Sequence, residues 1–404
     1  MSRSTPLALA LLAALWVSIP GAVGAAPPGI TAKEILLGGT VPLSGPESAF
    51  GVIAAGANAY FKHVNANGGV FGRKIRYLYL DDAYDPAQTV QQTRRLVEQE
   101  KVFAIFGSVG TEHVLAVRRY LTDGGVPQLF VGSGLSALGR EAKQYPGTIG
   151  YLLNFAAEGR AFGRQVAATK PGTSVAILSE SSDYGRELVR GLESALRGKA
   201  TIAARETYEV TDADVSSQIA KLRASNAKVL MLFALPKQTI QAFVAADKLG
   251  WHPQVYITSV SIDPAVMEIA RLNTSRAATE GSISLAYLKD PTNPRWTSDR
   301  GVRLYRSIMN RYARGSDPKA VAHFYGMASA FTMVDALRRA GKNPTRQSLI
   351  RAATNLNETD NPFLLPGIVL KTTPTYRFPI TQAQLYRYRG GRWTAFGGLV
   401  AARG

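Results

Sequence analysis

The feature that most constrains this fold is a regular alternation of apolar, β-rich segments with amphipathic helical segments. Between residues 34 and 132 the chain predicts strands at "EILLGGTVPL", "KIRYLYLDD", "VFAIFGS" and "PQLFVG", separated by helices at "SAFGVIAAGANAYFKHVNANGG", "PAQTVQQTRRLVEQE" and "TEHVLAVRRYLTDGG". Parallel strands need long crossover connections, which are usually helices. The alternation therefore predicts an α/β protein whose parallel sheet is covered by helices on both faces.

A second series of the same kind begins near residue 150. It predicts strands at "SVAILSE", "ETYEV", "KVLMLFAL" and "QVYITS", again alternating with helices. Two such units side by side leave a cleft between them. The segment after residue 286 is mainly helical, so we expect it to pack on the first unit. The closing "QAQLYRYRGGRWTAFGG" predicts a hairpin that turns at Gly390 and Gly391.

Residues 1–25 predict a cleaved secretory signal. They place one early cation, Arg3, before an apolar run, with small residues at Val23 and Ala25. A membrane anchor is the alternative, although a spanning helix needs about 20 apolar residues. The chain has no cysteine, which excludes disulfides and a lipid-modified N-terminal cysteine. We therefore expect the mature protein to diffuse freely in the periplasm of a bacterium.

The formal net charge of +18 raises the possibility of a nucleic-acid partner. However, Lys and Arg are spread along the chain with acids between them, as in "RRLVEQEK" and "SSDYGRELVRGLES". This distribution is typical of solvated helix faces. We expect no nucleic-acid partner.

Three strand-to-helix turns of the first series share Gly, Ser and Thr: "GGTVPLSGPESAFG", "FGSVGTEHV" and "FVGSGLSALG". Ligands bind open parallel sheets at the carboxyl ends of the strands, so these turns are expected to line one site. The N–H groups of Gly110 and Thr111, with the Thr111 hydroxyl as an N-cap, predict a carboxylate site at a helix N-terminus. Ser133 and Gly134 add further donors. The alternative is that all four only form turns and caps.

Motifs for catalysis and cofactors are missing from the sequence. No turn has the spacing of a phosphate-binding or dinucleotide-binding loop, and Ser133 lacks the flanking glycines of a nucleophile elbow. The four histidines are too far apart in the sequence to suggest a metal site. Asp81 and Asp82 could form an acid/base pair or a polar turn. We expect a binding protein without cofactor or metal, in which Phe50, Tyr151, Phe155 and Tyr184 could stack on a ligand in the cleft.

The order of several motifs resembles the leucine/isoleucine/valine-binding protein family, the periplasmic solute receptors of ABC importers. The motifs are "GGTVPLSGP", "NANGGVFGRKI", "DDAYDPAQTV", "FGSVGT", "VPQLFVGSG", "SVAILSESSDYGRE" and "GSISLAYLKDPTNP". The resemblance covers nearly the whole mature chain. It looks closest to a branch in which some members take up aromatic or other organic acids.

The resemblance implies a type I periplasmic binding protein fold: two doubly wound parallel-sheet lobes joined by a three-segment hinge. The expected lobes are residues 30–150 plus 286–366 and residues 151–285 plus 367–404, with crossings near Gly150, Leu285 and Gly367. Such proteins close on their ligand by hinge bending. The implied partners are an ABC permease and its ATPase, and the protein is expected to be a monomer.

The resemblance also assigns roles to residues. Thr111 matches the position that holds the ligand carboxylate, Gly132 to Leu135 match a second donor turn, and Tyr184 matches a cleft tyrosine. The complete expected ligand-binding set, from the turns and the resemblance together, is Ser44, Phe50, Ser108, Gly110, Thr111, Ser133, Gly134, Tyr151, Phe155, Tyr184, Pro236, Val260 and Ser261.

One departure from the family pattern bears on the ligand. Amino-acid-binding members place an acid in the second-lobe turn that here reads "YITSVSID", where Val260 stands instead and no acid precedes Asp263. A buried ammonium there would lose a charge-assisted hydrogen bond. A tyrosine of those members is likewise replaced by Leu235. The sequence thus favours a small organic acid over an amino acid.

Three alternatives stay open. The protein could be an amino-acid receptor in which Glu180 or Asp183 reaches the ammonium. It could be a ligand-sensing domain for a signalling partner. It could also be an enzyme on two α/β lobes, a class that the missing motifs disfavour.

Overall fold

The structure is a computed structural model that describes residues 26–403. The predicted secretory signal, residues 1–25, lies outside the described residues. The strands are β1 (Glu34–Val41), β2 (Lys74–Asp81), β3 (Ala104–Phe106), β4 (Gln128–Val131), β5 (Thr148–Gly150), β6 (Ser174–Glu180), β7 (Thr201–Tyr208), β8 (Val229–Phe233), β9 (Gln254–Ile257), β10 (Ile283–Ala286), β11 (Asn357–Glu358), β12 (Leu370–Lys371), β13 (Gln382–Arg389) and β14 (Arg392–Ala401).

The α-helices connect these strands in the predicted alternation. They are α1 (Val52–Ala66), α2 (Pro86–Arg94), α3 (Thr111–Asp123), α4 (Ala137–Arg140), α5 (Phe155–Thr169), α6 (Asp183–Leu196), α7 (Ser216–Ala224), α8 (Pro236–Lys248), α9 (Pro264–Leu272), α10 (Arg276–Thr279), α11 (Arg300–Tyr312), α12 (Val321–Ala340) and α13 (Arg346–Ala353). The predicted start of α2 at Pro86 is confirmed, because Asp85 caps the helix by accepting a hydrogen bond from the Ala87 N–H at 2.7 Å.

The two strand series form two separate sheets, which confirms the predicted α/β class and its two lobes. The first lobe is built on a five-stranded sheet of order β2-β1-β3-β4-β5, and all of its strand pairs are parallel. The second lobe is built on a seven-stranded sheet of order β14-β13-β10-β9-β8-β6-β7. Crossover helices put the carboxyl ends of the parallel strands of each sheet at one edge.

The second sheet is mixed, because the C-terminal hairpin adds two antiparallel strands to the parallel strands predicted for this lobe. β13 pairs antiparallel with β10, and β14 pairs antiparallel with β13. The predicted turn at Gly390 and Gly391 is confirmed, with φ angles of 55° and 81°. A turn with two positive φ angles matches the twist of a tight hairpin, and its antiparallel strands extend the parallel sheet at one edge.

The helical segment after β10 returns to the first lobe, where α12 lies along α1. Gly326 makes this close approach possible, since a Cβ atom there would lie 2.0 Å from the backbone oxygen of Ile53. Gly56 of α1 meets α12 in the same way, because a Cβ atom at that position would lie 2.2 Å from the His323 oxygen. The two glycines therefore let the helix backbones touch.

Two of the connecting segments between the lobes run beside each other. The Leu365 N–H donates to the Tyr287 oxygen at 2.9 Å, and the Lys289 N–H donates to the Phe363 oxygen at 3.1 Å. A third segment, after β5, is adjacent, because the Tyr287 hydroxyl lies 3.5 Å from the Tyr151 oxygen. The connections between the lobes are thus gathered on one side of the molecule.

We expect Gly326→Ala to destabilise the protein by about 1 to 3 kcal/mol, because the added methyl group must push α1 and α12 apart. Urea unfolding measures the change. Gly398→Ala is the matched control, since nothing lies within 4 Å of a Cβ atom at that position. Equal stability of the two variants would contradict the close helix contact.

Candidate functional site

A cavity of about 600 Å³ lies between the two lobes. Its lining comes from turns at the carboxyl ends of strands in both sheets and from the segment that follows β10. Seven of the predicted residues line it: Phe50, Gly110, Thr111, Phe155, Tyr184, Pro236 and Val260. The structure therefore brings turns from both strand series together around one space.

Six other predicted residues do not line the cavity and make structural contacts instead. The Ser44 hydroxyl donates to Asp81 at 2.6 Å on the surface, and Ser108 accepts from the Thr40 hydroxyl. The Ser261 hydroxyl donates to the Ala234 oxygen at 2.7 Å. The remaining three are Ser133, Gly134 and Tyr151.

These three lie behind the cavity wall. Ser133 is fully buried behind Thr111. Gly134 packs against the Leu153 oxygen, which would lie 1.8 Å from a Cβ atom there. The Tyr151 hydroxyl is bonded within the core, at 2.9 Å from the Ala328 oxygen. All three residues therefore pack within the first lobe and do not line the cavity.

The first turn of α3 reaches the cavity, but its hydrogen bonds differ from those predicted. Gly110 is the N-cap, with a φ of 107° that favours glycine, and Thr111 is the first helical residue. The Thr111 hydroxyl therefore does not cap the helix; it lies 3.0 Å from the Ser133 hydroxyl. The Gly110 N–H donates to the Gly132 oxygen at 3.3 Å. The donors left for an anion are those of Thr111 and the rest of the first turn.

An aromatic pair forms part of the second-lobe wall. The rings of Phe155 and Tyr184 meet edge to face, with centroids 4.9 Å apart and an interplanar angle of 73°. The Tyr184 hydroxyl lies 2.9 Å from the Thr258 hydroxyl. This pairing fixes the tyrosine ring, so the wall presents an ordered aromatic surface.

The turn after β9, which carries Val260, is held from behind by a buried acid. Glu158 of α5 accepts hydrogen bonds from the Ser259 N–H and, at 2.8 Å, from the Ser259 hydroxyl. Burial raises the pKa of Glu158 to about 7, although both hydrogen bonds oppose the shift. Glu158 thus positions the turn that places Val260 at the cavity.

Sequence reasoning missed the main polar feature of the cavity, two buried carboxyl groups. Glu47, in the turn after β1, and Glu180, at the end of β6, both line it. The expected lack of an acid concerned the turn that carries Val260, and Glu47 and Glu180 reach the cavity from other turns. The sequence analysis named Glu180 only as an alternative partner for an ammonium group, and it did not name Glu47. The position of Glu47 in the strand-to-helix turn "SGPESAFG" could have indicated that this acid lies at the cavity.

Hydrogen bonds join the lobes near the cavity, and two groups of them involve α6. The Ser136 N–H and hydroxyl both donate to Glu187 of α6, at 2.8 and 2.9 Å. The Asp183 N–H donates to Glu112 of α3 at 2.9 Å. These contacts join turns of the first lobe to the first helix after β6 in the second.

The sequence of the chain matches a family model described as "Periplasmic binding protein" over residues 34–392. The chain belongs to this periplasmic binding protein family. Membership confirms the predicted class, a binding protein rather than an enzyme. Among curated relatives, the Leu/Ile/Val-binding protein homolog 7 of Brucella abortus (strain 2308) is 26% identical over 247 residues. That match spans 58% of this chain and 60% of the relative.

Solved structures share the fold of this periplasmic binding protein. A branched-chain amino acid ABC transporter protein from Thermus thermophilus, solved with bound valine, aligns with a TM-score of 0.80 at 18% identity, covering 92% of this chain and 97% of that one. A fatty acid ABC transporter substrate-binding protein from Thermomonospora curvata aligns with a TM-score of 0.74 at 21% identity, covering 94% and 93%. The type I fold predicted from the sequence is confirmed.

Within residues 26–403, the periplasmic binding protein has no helix with the length and apolar character needed to cross a membrane. The same residues include no cluster of three or more His, Asp or Glu side chains placed to hold a metal ion. His113 is buried against the Tyr84 ring, with centroids 4.3 Å apart. Asp81 and Asp82 cap turns, as the Ser44 and Tyr84 contacts with them show.

We expect Glu158→Gln to flatten the pH dependence of stability. The folded pKa of about 7 exceeds the ordinary value of 4.5, so the stabilisation is complete below pH 4.5 and is lost as the pH rises to 7. The variant, always neutral, should avoid a loss on the order of 3 kcal/mol over this range. Urea unfolding at pH 5 and pH 7.5 measures it.

The control for this experiment is Glu98→Gln, because Glu98 is exposed and pairs with Arg94 on the surface. It should keep the wild-type difference between the two pH values. Identical differences in Glu158→Gln and wild type would show that Glu158 is not a buried, protonated group.

Proposed function

We propose that the protein is the extracytoplasmic receptor of an ABC importer and that it binds a small carboxylate-bearing ligand, an aromatic or aliphatic organic acid, in the cavity between its lobes. The observation that carries this proposal is the first turn of α3 opening onto a largely apolar cavity. Thr111 lines this cavity together with the paired Phe155 and Tyr184 rings. An anion can bind the free N–H groups while its apolar body packs on the rings.

The proposed lobes are residues 30–150 plus 286–366 and residues 151–285 plus 367–404. Their relative rotation would occur in the connecting segments, which lie side by side, and each lobe would move as a rigid body. Ligand binding stabilises the closed arrangement because the ligand contacts both lobes at once. The closed receptor would then dock, as a periplasmic monomer, on the permease and ATPase of the importer.

A second candidate is a receptor for amino acids. Glu180 and Glu47 favour it, because a carboxylate in the cavity could bind an ammonium group. The protein of Thermus thermophilus with bound valine has the same fold. A sensing role for the same cavity would differ only in the partner that recognises the closed form.

We expect organic acids to bind more tightly than the matching amino acids. The pairs are 3-phenylpropanoate with phenylalanine, and 4-methylpentanoate with leucine, tested on refolded, ligand-stripped protein. A ligand at 100 times its dissociation constant adds about 2.7 kcal/mol of stability. A thermal-shift screen followed by calorimetry measures both. Tight binding of leucine without binding of either acid would favour the amino-acid candidate.

We expect Thr111→Val to weaken carboxylate binding by about 1 to 3 kcal/mol, because the change removes a hydroxyl at the cavity and keeps the shape of the side chain. Calorimetry with 3-phenylpropanoate measures the affinity. Thr111→Ser should restore most of it, and Thr122→Val at the other end of α3 is the matched control. If Thr111→Val unfolds the protein but the fraction that stays folded binds with unchanged affinity, Thr111 has only a structural role.

A further inference from the structure

Glu47 and Glu180 approach each other from different lobes. Glu47 belongs to the turn that follows β1 of the first sheet, and Glu180 is the last residue of β6 in the second. Both side chains are buried, at 1% and 7% exposure, and both line the cavity. Like charges in a poorly solvated space repel, so Glu180 makes Glu47 harder to ionise. Burial, and after it Glu112, raises the pKa of Glu180 itself to about 7, although the Ser182 side chain opposes the shift.

The groups around this pair do not neutralise it. On the first-lobe side they are Tyr84 and Glu112; on the second-lobe side they are Tyr184, Tyr208, Glu209 and Lys237. Lys237 is the one cation in this set, and its ammonium donates to the Asp212 oxygen at 3.3 Å rather than pairing with Glu47. The neighbourhood therefore has more acids than bases.

The two carboxyl groups differ in their hydrogen bonds. The Tyr208 hydroxyl donates to Glu180 at 3.4 Å. The Oε1 atom of Glu47 is buried and has no hydrogen-bond partner among the described residues. Burial, first, and then Glu180 raise the pKa of Glu47 to about 8, with Lys237 opposing. A neutral, buried carboxyl group has an O–H donor that needs an acceptor.

We propose that Glu47 binds the ligand as a neutral carboxylic acid, donating a hydrogen bond to an acceptor oxygen of the anionic ligand. This inference rests on the proposed function, since it requires an anionic ligand in the cavity. It adds a ligand contact outside the thirteen residues expected from the sequence. It also fixes the charge of the accepted group, because an ammonium would need the ionised form of Glu47.

The proton has a defined source and destination. Where water reaches Glu47 in the open protein, the ionised fraction of this carboxylate takes one proton from the buffer as the lobes close. The proton then stays on the Glu47 oxygen and is shared in a hydrogen bond with the ligand. No bond of the ligand breaks, and the affinity falls by up to about tenfold per pH unit above the pKa of Glu47.

The test is calorimetry of 3-phenylpropanoate, 4-methylpentanoate, phenylalanine, leucine and 2-phenylethylamine at pH 8, in Tris and in phosphate. The difference in heat between the two buffers gives the number of protons exchanged. Affinities at pH 6 and pH 9 complete the measurement. Glu47→Gln keeps an N–H donor without a charge, Glu180→Gln removes the repelling carboxylate, and Glu98→Gln is the surface control.

We expect the organic acids to bind wild type with proton uptake and with weaker affinity at pH 9. Glu47→Gln should bind the organic acids without proton uptake and with an affinity that does not depend on pH. Glu180→Gln should bind them with less proton uptake than wild type, and Glu98→Gln should behave like wild type. Acid binding with no uptake, or with uptake unchanged in Glu47→Gln, would overturn the role of Glu47 and leave the proposed function standing. Binding of the amine-bearing probes alone, with proton release, would overturn both.

The remaining outcome is that none of the five probes binds, because the proposed monocarboxylate ligand is wrong. In that case, the protonation of Glu47 is measured without a ligand. Carbon-13 NMR of glutamate-labelled wild type identifies the Glu47 carboxyl as the resonance that Glu47→Gln lacks. Titration of that resonance well above pH 4.5 would support a neutral Glu47. Titration at the ordinary value would overturn the inference.

Discussion

The direction of the parallel strands is the constraint on which the rest of this protein depends. Helical crossovers return the chain to the same edge of each sheet, so every parallel strand ends on the same side. The turns at these ends are the positions where backbone N–H groups and helix N-termini are free of the sheet ladder. The sheet edges at which the parallel strands end face each other across the two lobes. Turns that are far apart in the sequence therefore surround one cavity.

The connection between the lobes depends on close packing elsewhere. After β10 the chain must return to the first lobe, and it does so through α12, which lies against α1 at Gly56 and Gly326. Backbone contact of this kind leaves little room for α12 to slide. The first lobe is therefore a rigid unit made from two distant parts of the chain, and the paired segments beside Tyr287 join it to the second.

Several carboxyl groups are buried in the interior, and they differ in their hydrogen-bond partners. Glu158 accepts two hydrogen bonds from Ser259, and Glu358 accepts from the Thr332 hydroxyl and the Asn361 amide. Both groups stabilise turns or connecting segments, although the Oε2 atom of Glu358 is buried without a hydrogen-bond partner among the described residues. The Oε1 atom of Glu47 likewise has no hydrogen-bond partner among the described residues, and Glu47 lines the cavity. Burying an unpaired polar atom costs free energy.

The sequence by itself determined the alternation of strands and helices, the cap at Asp85, the hairpin at Gly390 and Gly391, and the turns that meet in the cleft. These features follow from local periodicity and backbone preferences. Only the tertiary structure decided which turn residues line the cavity. Ser133 and Tyr151 turn away since hydrogen-bond partners from distant elements hold them. Glu47 and Glu180 become neighbours because the two lobes meet at the cavity, and no local sequence pattern encodes their burial.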